Sequence, residues 1–147
     1  MHTTQQAAYD EIIGIARAGW LANGTSAPFT LLYDDVKEDK PGVDANGLPL
    51  TYARVSVADI DSERGCIAPI GERTFEETAL CTVQIFTPPG DGRTLSNELL
   101  QIVRDFFRAS TSSIIEIIQV GPPERIGQEG GYFVANMPAL FRFYQEG

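Results

Sequence analysis

The chain has 147 residues, the size of one ordinary domain, and its 43% apolar and 21% charged residues are typical of globular proteins. Twenty acidic residues against eleven basic ones give a net charge of −9. Such a balance argues against a protein that grips nucleic-acid phosphates, because that affinity comes from Lys and Arg. We expect one compact domain over residues 1–147.

The first predicted element is an amphipathic helix that ends at about Asn23, with apolar residues at steps of three and four. At its start, Thr3 and Gln6 have the spacing of a capping box. A short apolar strand is predicted at 29–34. A polar arm rich in turn formers follows at 34–49.

Two alternating segments, 50–59 and 73–87, predict a long antiparallel hairpin. Their connection at 60–72 carries three apolar residues at its tip, Ile67, Pro69 and Ile70. Since exposed apolar side chains on a loop are unfavourable, we expect this tip to serve self-association, with the polar arm reaching a neighbouring subunit. The alternative is that the tip folds back on its own sheet.

A strand-to-helix turn and a second helix follow. The turn consists of Pro88, Pro89, Gly90, Asp91 and Gly92. The helix of about 16 residues has an apolar stripe and stops at the serine-rich segment 110–113.

Two further strands are predicted, at 114–120 and 132–144. Alternate residues of the last strand are apolar, which is a strong core signal, and Pro138 within it predicts an edge strand or a bulge. The order α-β-β-β-α-β-β predicts an α+β fold, in which two helices pack on a single mixed or antiparallel sheet of about five strands.

The sequence offers few groups for catalysis or metal binding. Its one histidine, His2, stands beside the first methionine, which argues against a Ser–His or Cys–His pair and against a His-containing zinc site. Cys81 falls on an apolar strand face and is interpreted as a buried, inert thiol, and Cys66 as a bystander in the hairpin loop. We therefore expect no enzyme activity, no cofactor and no metal.

Asp59, Asp61 and Glu63 have the spacing of the start of a calcium loop. Arg64 stands where such a loop needs glycine, and Ile70 where it needs a bidentate glutamate. A solvated turn is the favoured interpretation.

The proline-glycine turn resembles half of a phosphate-binding turn, because Gly90 and Gly92 precede a helix N-terminus. The third glycine of the dinucleotide fingerprint would fall at Leu95, and no Walker lysine follows. A tight strand-to-helix turn is therefore favoured over an anion site. The sequence also shows no signal peptide and no apolar run long enough for a membrane span. We therefore expect the protein to be made, and to stay, in a reducing cytoplasm.

Four segments in order carry a resemblance to a known family. They are AYDEI at 8–12, ALCTVQIFTPPGDG at 79–92, LSNELLQIVRDFF at 95–107 and PALFRF at 138–143. The arrangement resembles the tail-terminator proteins of long-tailed, siphovirus-type bacteriophages, and it spans nearly the whole chain. The polar arm at 34–49 and the hairpin connection at 60–72 fit the family pattern less tightly.

This resemblance implies a structural virion protein. Tail terminators form a ring, usually hexameric, on the head-proximal end of the tail tube, stop tube polymerisation and provide the joint to the head–tail connector or neck protein. The implied partners are therefore a second copy of the chain, the tail-tube protein and the connector, with DNA passing through the lumen. The implied location is the virion and, during assembly, the host cytoplasm.

Two other functions remain open on the sequence alone. One is another ring of the head–tail region, such as a neck or tail-completion protein. The other is a small acidic ligand-binding domain or enzyme that uses the turn at 88–92 as an anion site, for which phosphate would raise the melting temperature.

Overall fold

The computed structural model describes residues 3–22, 30–33, 50–64, 74–89 and 92–146. Within these ranges the elements are, in chain order, α1 (Gln5–Ala22), β1 (Thr30–Tyr33), β2 (Tyr52–Arg64), β3 (Thr74–Thr87), α2 (Gly92–Ala109), β4 (Glu116–Val120), β5 (Glu124–Glu129) and β6 (Tyr132–Glu146). This composition confirms the predicted α+β class. The additional strand, β5, has the sequence ERIGQE, whose single large apolar residue produces no alternating pattern.

The strands of the described ranges form one mixed sheet in the order β1-β2-β3-β6-β4. β1 runs parallel to β2, and the other neighbours are antiparallel. The predicted hairpin of β2 and β3 is confirmed, with a register that runs from Tyr52 opposite Phe86 to Arg64 opposite Phe75. β5 also pairs with β6, so β4 and β5 follow one another along the same side of that strand.

Both helices pack on one face of the sheet, and the core lies between them and the strands. α1 contributes four residues spaced four apart, and this spacing places them on one side of the helix. They are Ala8, Ile12, Ala16 and Trp20. The alternation in 73–87 predicts one apolar strand face that includes Cys81, and the structure confirms it, since Ala79, Cys81, Val83 and Ile85 are all buried. Neither α1 nor α2, the helices that the structure describes, is long and apolar enough to cross a membrane.

The start of α1 differs from the prediction by one residue. The Thr4 hydroxyl accepts a hydrogen bond from the backbone N–H of Ala7 at 3.1 Å, so Thr4 is the N-cap. Thr3 instead donates its backbone N–H to the carbonyl of Tyr144 at 2.7 Å, at the end of β6. The capping box predicted at Thr3 is therefore wrong, because Thr4 occupies the cap position and the backbone N–H of Thr3 is bonded to the end of β6.

Pro138 lies in a central strand, and the prediction of an edge strand there is wrong. β6 pairs with β3 along its length without a register shift, and on its other side it pairs with β4 up to Ala139 and with β5 from Asn136. The Pro138 carbonyl accepts from Gly121 N at 2.8 Å on that second side. Since the nitrogen and carbonyl of a strand residue point the same way, the proline nitrogen faces the gap between β4 and β5, where no ladder bond is lost.

A small aromatic cluster is buried at one end of the opposite sheet face. The rings of Tyr52 and Phe86 stack with their centroids 4.4 Å apart, and Tyr132 meets Tyr52 edge-on at 5.3 Å. Leu32 and Val134 complete this cluster. Its burial anchors β1, β2 and β6 to one another on the face that the helices leave free.

Candidate functional site

The structure describes only some of the site residues predicted from the sequence. The hairpin tip of Ile67, Pro69 and Ile70 and the polar arm at 34–49 lie outside the described residues. Pro88 and Pro89 follow β3 directly, and Gly92 is the first residue of α2. Gly90 and Asp91, between them, are likewise outside the described residues.

The groups with possible chemistry are few in the described part of the chain. Cys81 is fully buried on the helix-facing side of β3, and this burial raises the pKa of its thiol to about 12. A thiol of that kind is neither a nucleophile nor a metal ligand at neutral pH. The described ranges contain no group of three His, Cys, Asp or Glu side chains close enough to hold a metal ion. His2 and Cys66 lie outside these ranges.

The most distinctive surface feature is a set of exposed isoleucines at β-bulges. β2 has an extra residue at Ile60, β4 at Ile118 and β5 at Ile126, as the register shifts show. A bulge turns the side chain of its extra residue away from the regular pattern of its strand. These three side chains are 55%, 46% and 46% exposed, respectively.

The bulge isoleucines lie on opposite edges of the sheet. β1 pairs with β2 only as far as Val55, so the stretch of β2 that contains Ile60 is an edge among the described strands. Ile118 and Ile126 lie at the other edge, where β4 and β5 have β6 as their one partner among the strands that the structure describes. The sequence did not predict these positions. The only signal is an isoleucine among the acidic residues of VADIDSER, whose spacing favours a solvated turn.

Ile60 stands within a row of carboxylates, Asp59, Asp61 and Glu63, which we term the acidic edge. The predicted solvated turn is in fact part of β2, although all three side chains are exposed as expected. Asp59 accepts hydrogen bonds from the Tyr9 hydroxyl and, at 2.8 Å, from Gln5 Nε2. Partial burial raises the pKa of Tyr9, and the bond to Asp59 raises it further.

On the opposite edge, an arginine-lined cleft of about 180 Å³ lies between α2 and the chain around β5. We term it the arginine cleft, and its polar lining is Arg104, Arg125, Asn97 and Gln101. Arg125 donates to the side-chain oxygen of Asn97. Arg104 is half-buried, and its Nε atom is buried without a hydrogen-bond acceptor in the described part of the chain.

Gly121 shapes one wall around Arg104. Its φ of +85° is in the left-handed region that favours glycine. A Cβ atom at this position would also stand 2.7 Å from Nη2 of Arg104. Glycine therefore serves here both the backbone conformation and the close approach of the guanidinium group.

A second hollow of about 360 Å³ lies beside the cleft, between the end of α2 and β4. Four apolar side chains line it, Phe107, Ile117, Ile118 and Val120, together with the polar residues Arg108, Ser110 and Gln119. We term it the apolar hollow. Arg104 lines the cleft and Arg108 the hollow, and these residues are one helical turn apart on α2, so the two depressions follow one another along this helix.

Comparisons with known proteins were made at the level of sequence and of structure. No protein-family model matches the chain, and no curated protein matches it significantly. Among 19 solved chains with a matching structure, one that carries a serial designation in place of a functional name has a TM-score of 0.54 and 14% sequence identity. The match covers 94% of this chain and 92% of that one. At this identity the likeness establishes a shared fold over nearly the whole chain.

Proposed function

We propose that this chain is a tail terminator of a long-tailed bacteriophage or phage-like particle. In this role it forms a ring, a hexamer by the family pattern, on the head-proximal end of the tail tube. The ring stops tube polymerisation and provides the joint to the connector or neck protein. It belongs to the virion and, during assembly, to the host cytoplasm. The first support is the resemblance of four ordered segments between residues 8 and 143.

The observation that carries the proposal is the exposure of isoleucine side chains at both edges of one sheet. Ile60 is 55% exposed on the β2 edge, and Ile118 and Ile126 are 46% exposed on the β4 and β5 edge. A closed ring of identical subunits in head-to-tail contact needs two different surfaces on each molecule. Exposed anchors on opposite edges supply such a pair, since full burial of an isoleucine contributes about 1.5–3 kcal/mol.

The overall charge agrees with this role. A net charge of −9 per chain, multiplied over a ring, repels the phosphates of DNA in transit through a lumen. A neck or tail-completion ring would use the same two edges and differ in the partner that it caps. The test therefore has to include the tube itself.

The experiment is tube assembly followed by electron microscopy. Tail-tube protein of the same virus is polymerised with and without this chain, and tube lengths and tube ends are examined. We expect a ring of density at one end only, and growth that stops once it is bound. Tubes that grow equally long with bare ends would overturn the terminator assignment. Rings that bind only the connector would move the chain to the neck.

The ligand-binding alternative has its own measurement. A domain that uses the turn at 88–92 as an anion site shows a higher melting temperature with inorganic phosphate or nucleotides. For a terminator we expect no rise in melting temperature through phosphate binding at that turn. The variant Asp91→Lys would strengthen an anion site there, so its melting temperature in phosphate should stay unchanged if the turn binds no anion.

A further inference from the structure

We propose that the acidic edge of one copy of this chain binds the arginine cleft of the next copy, with Ile60 seated in the neighbouring apolar hollow. This inference rests on the proposed ring and names the contact that closes it. The recognition chemistry is a carboxylate held by guanidinium groups, which form two parallel N–H···O bonds with good geometry.

Arg104 carries the first part of the argument. Its Nε is buried and has no acceptor among the described residues, although a buried donor without a partner is unfavourable. The rest of the guanidinium group lies against Gly121, so its position is constrained. The Nε atom itself is out of reach of a second molecule, so an incoming acceptor would meet the other donors of this half-buried guanidinium group, which form no hydrogen bond with the described residues.

The cleft contains no carboxylate of the described chain that could neutralise it. Asp105 is next to Arg104 in sequence, but it does not line the cleft and accepts from Gln101 Nε2 at 2.7 Å. Arg125 bonds to Asn97 through one Nη, which leaves further donors of its guanidinium group available. Two arginines without ion partners among the described residues thus share one small depression in an acidic protein.

In the described part of the chain, the acidic edge carries carboxylates that lack a cation, whereas the arginine cleft carries cations that lack a carboxylate. Asp61 and Glu63 are exposed and form no ion pair within the described ranges. By contrast, Arg142 on the same sheet is paired with Glu116 at 2.8 Å and with Glu76 at 3.7 Å. The carboxylates of the acidic edge therefore have no cation within the described ranges, and the two arginines of the cleft have no carboxylate there.

The apolar anchors follow the same division. Ile60 stands between Asp59 and Asp61, and the apolar hollow follows the arginine cleft along α2. The β2 edge thus combines an apolar side chain with carboxylates, and the surface along α2 combines apolar lining residues with the guanidinium groups of the cleft. Surfaces that differ and complement each other on one molecule give a heterologous contact, which closes a ring when its rotation permits.

The experiment exchanges the charges on each side of this contact. One variant is Arg104→Glu with Arg125→Glu, and the other is Asp61→Arg with Glu63→Arg. We expect each variant alone to lose self-association on tubes by about a hundredfold in affinity, because like charges then face each other. An equimolar mixture should restore the ring, since each variant complements the other in alternation. Asp10→Arg, the same exchange at an exposed site on α1, serves as the control and should assemble normally.

The outcomes separate this contact from the proposed function. If the wild type caps tubes and the exchanged variants do so equally well, the contact is wrong and the terminator function stands. If each variant fails and the mixture fails as well, the two edges do not meet and the inference is overturned. If the wild type never caps tubes, it is the proposed function that fails.

Two further arms complete the design. Titration with inorganic phosphate and with duplex DNA tests the cleft as a phosphate site, and loss of such binding in an arginine variant that still assembles would overturn the subunit contact. Melting temperatures check folding. Arg104→Gln with Arg125→Gln replaces the glutamate variant if Arg104→Glu does not fold, with weaker association as the expected result.

Discussion

The ring of Phe106 on α2 lies against the backbone of Gly19 on α1 and occupies the space that a side chain at residue 19 would need. A Cβ atom at Gly19 would come within 2.5 Å of Cδ2 and 2.7 Å of Cδ1 of this buried ring. The two helices cross closely at this point because residue 19 has no side chain, and both cover the same face of the sheet.

Gly19→Ala should therefore destabilise the fold by about 1–3 kcal/mol, the usual cost of overpacking a core. Gly14, in the same helix, is exposed with no atom within 4 Å of an added Cβ, so Gly14→Ala should stabilise it by up to about 1 kcal/mol. Urea unfolding of both variants measures this difference. Equal effects of the two alanines would contradict the helix packing described here.

Two tyrosines should respond in opposite directions to loss of their hydroxyl groups. Tyr9 donates to Asp59 and accepts from Gln5 Nε2 at 3.2 Å, so Tyr9→Phe should lower the free energy of unfolding by about 1 kcal/mol. The Tyr52 hydroxyl is buried without a partner in the described part of the chain, so Tyr52→Phe should raise it by up to about 1 kcal/mol. Denaturant midpoints of both variants measure these changes in the free energy of unfolding. A stabilising Tyr9→Phe would show that the hydrogen bond from Tyr9 to Asp59 contributes nothing to stability.

Stability should fall at alkaline pH through Cys81. Burial raises the pKa of this thiol from 9.0 to about 12, so the unfolded chain ionises it before the folded protein does. The contribution is intact below pH 9.0 and decreases as the pH rises toward 12, by about 1.4 kcal/mol for each pH unit.

Comparison with Cys81→Ala isolates this effect, because the variant removes the titrating group. Both proteins carry Cys66→Ser, and their free energies of unfolding are measured between pH 8 and pH 11. We expect a shallower decline for the alanine variant above pH 9.0, where the thiol of the unfolded chain ionises. Parallel curves would mean that Cys81 ionises in the folded state as readily as in the unfolded chain.

The bulge isoleucines of the β4 and β5 edge should matter for assembly and little for folding. Ile118→Ser with Ile126→Ser should weaken ring formation, while the melting temperature stays within a few degrees because the side chains are exposed. Leu21 is 60% exposed near the end of α1, and Leu21→Ser is the matched control that should assemble normally. Mass photometry in the presence of tubes measures the effect. Equal assembly of the wild type, the double variant and the Leu21→Ser control would exclude this edge from the contact.

The hairpin tip gives a separate prediction, made from the sequence alone. Ile67→Asp with Ile70→Asp should leave a folded protein that forms no ring, since the predicted role of the tip is self-association. If this double variant forms rings of wild-type size, the tip has no such role, and the two sheet edges would be the surfaces that remain.

The sequence predicted those parts of the fold in which burial follows a regular period. Alternation in β3 and β6 identified the inward-facing side of these strands, and the apolar steps of three and four predicted α1 with Ile12, Ala16 and Trp20 on its buried side. β5 was missed because its one large apolar side chain, Ile126, points outward at a bulge. The prediction of an edge strand at Pro138 was wrong because a central strand tolerates a proline where its nitrogen faces a gap between neighbouring strands. The sequence around Pro138 contains no pattern that shows where β4 ends and β5 begins.

The candidate surfaces were harder to foresee for a related reason. A bulge is a mismatch between two strands, so Ile60 becomes exposed through its pairing with β3 and not through its own neighbours in sequence. Arg104 and Gly121 are 17 positions apart, and only the packing of α2 against the chain after β4 brings them together. Two features of the site discussion could be read from the sequence: the net acidic charge, and the lack of a histidine that could pair with a serine or cysteine nucleophile.

The most direct test is cross-linking between copies through single cysteines. Ile60→Cys and Ile118→Cys are prepared separately in a Cys66→Ser background, where Cys81 stays buried and unreactive, and are assembled on tubes with a short bis-maleimide. Head-to-tail contact predicts cross-linked dimers in the mixture of the two variants and none with either variant alone. Dimers from Ile60→Cys by itself, or no cross-link in mixtures that do form rings, would contradict the pairing of opposite sheet edges.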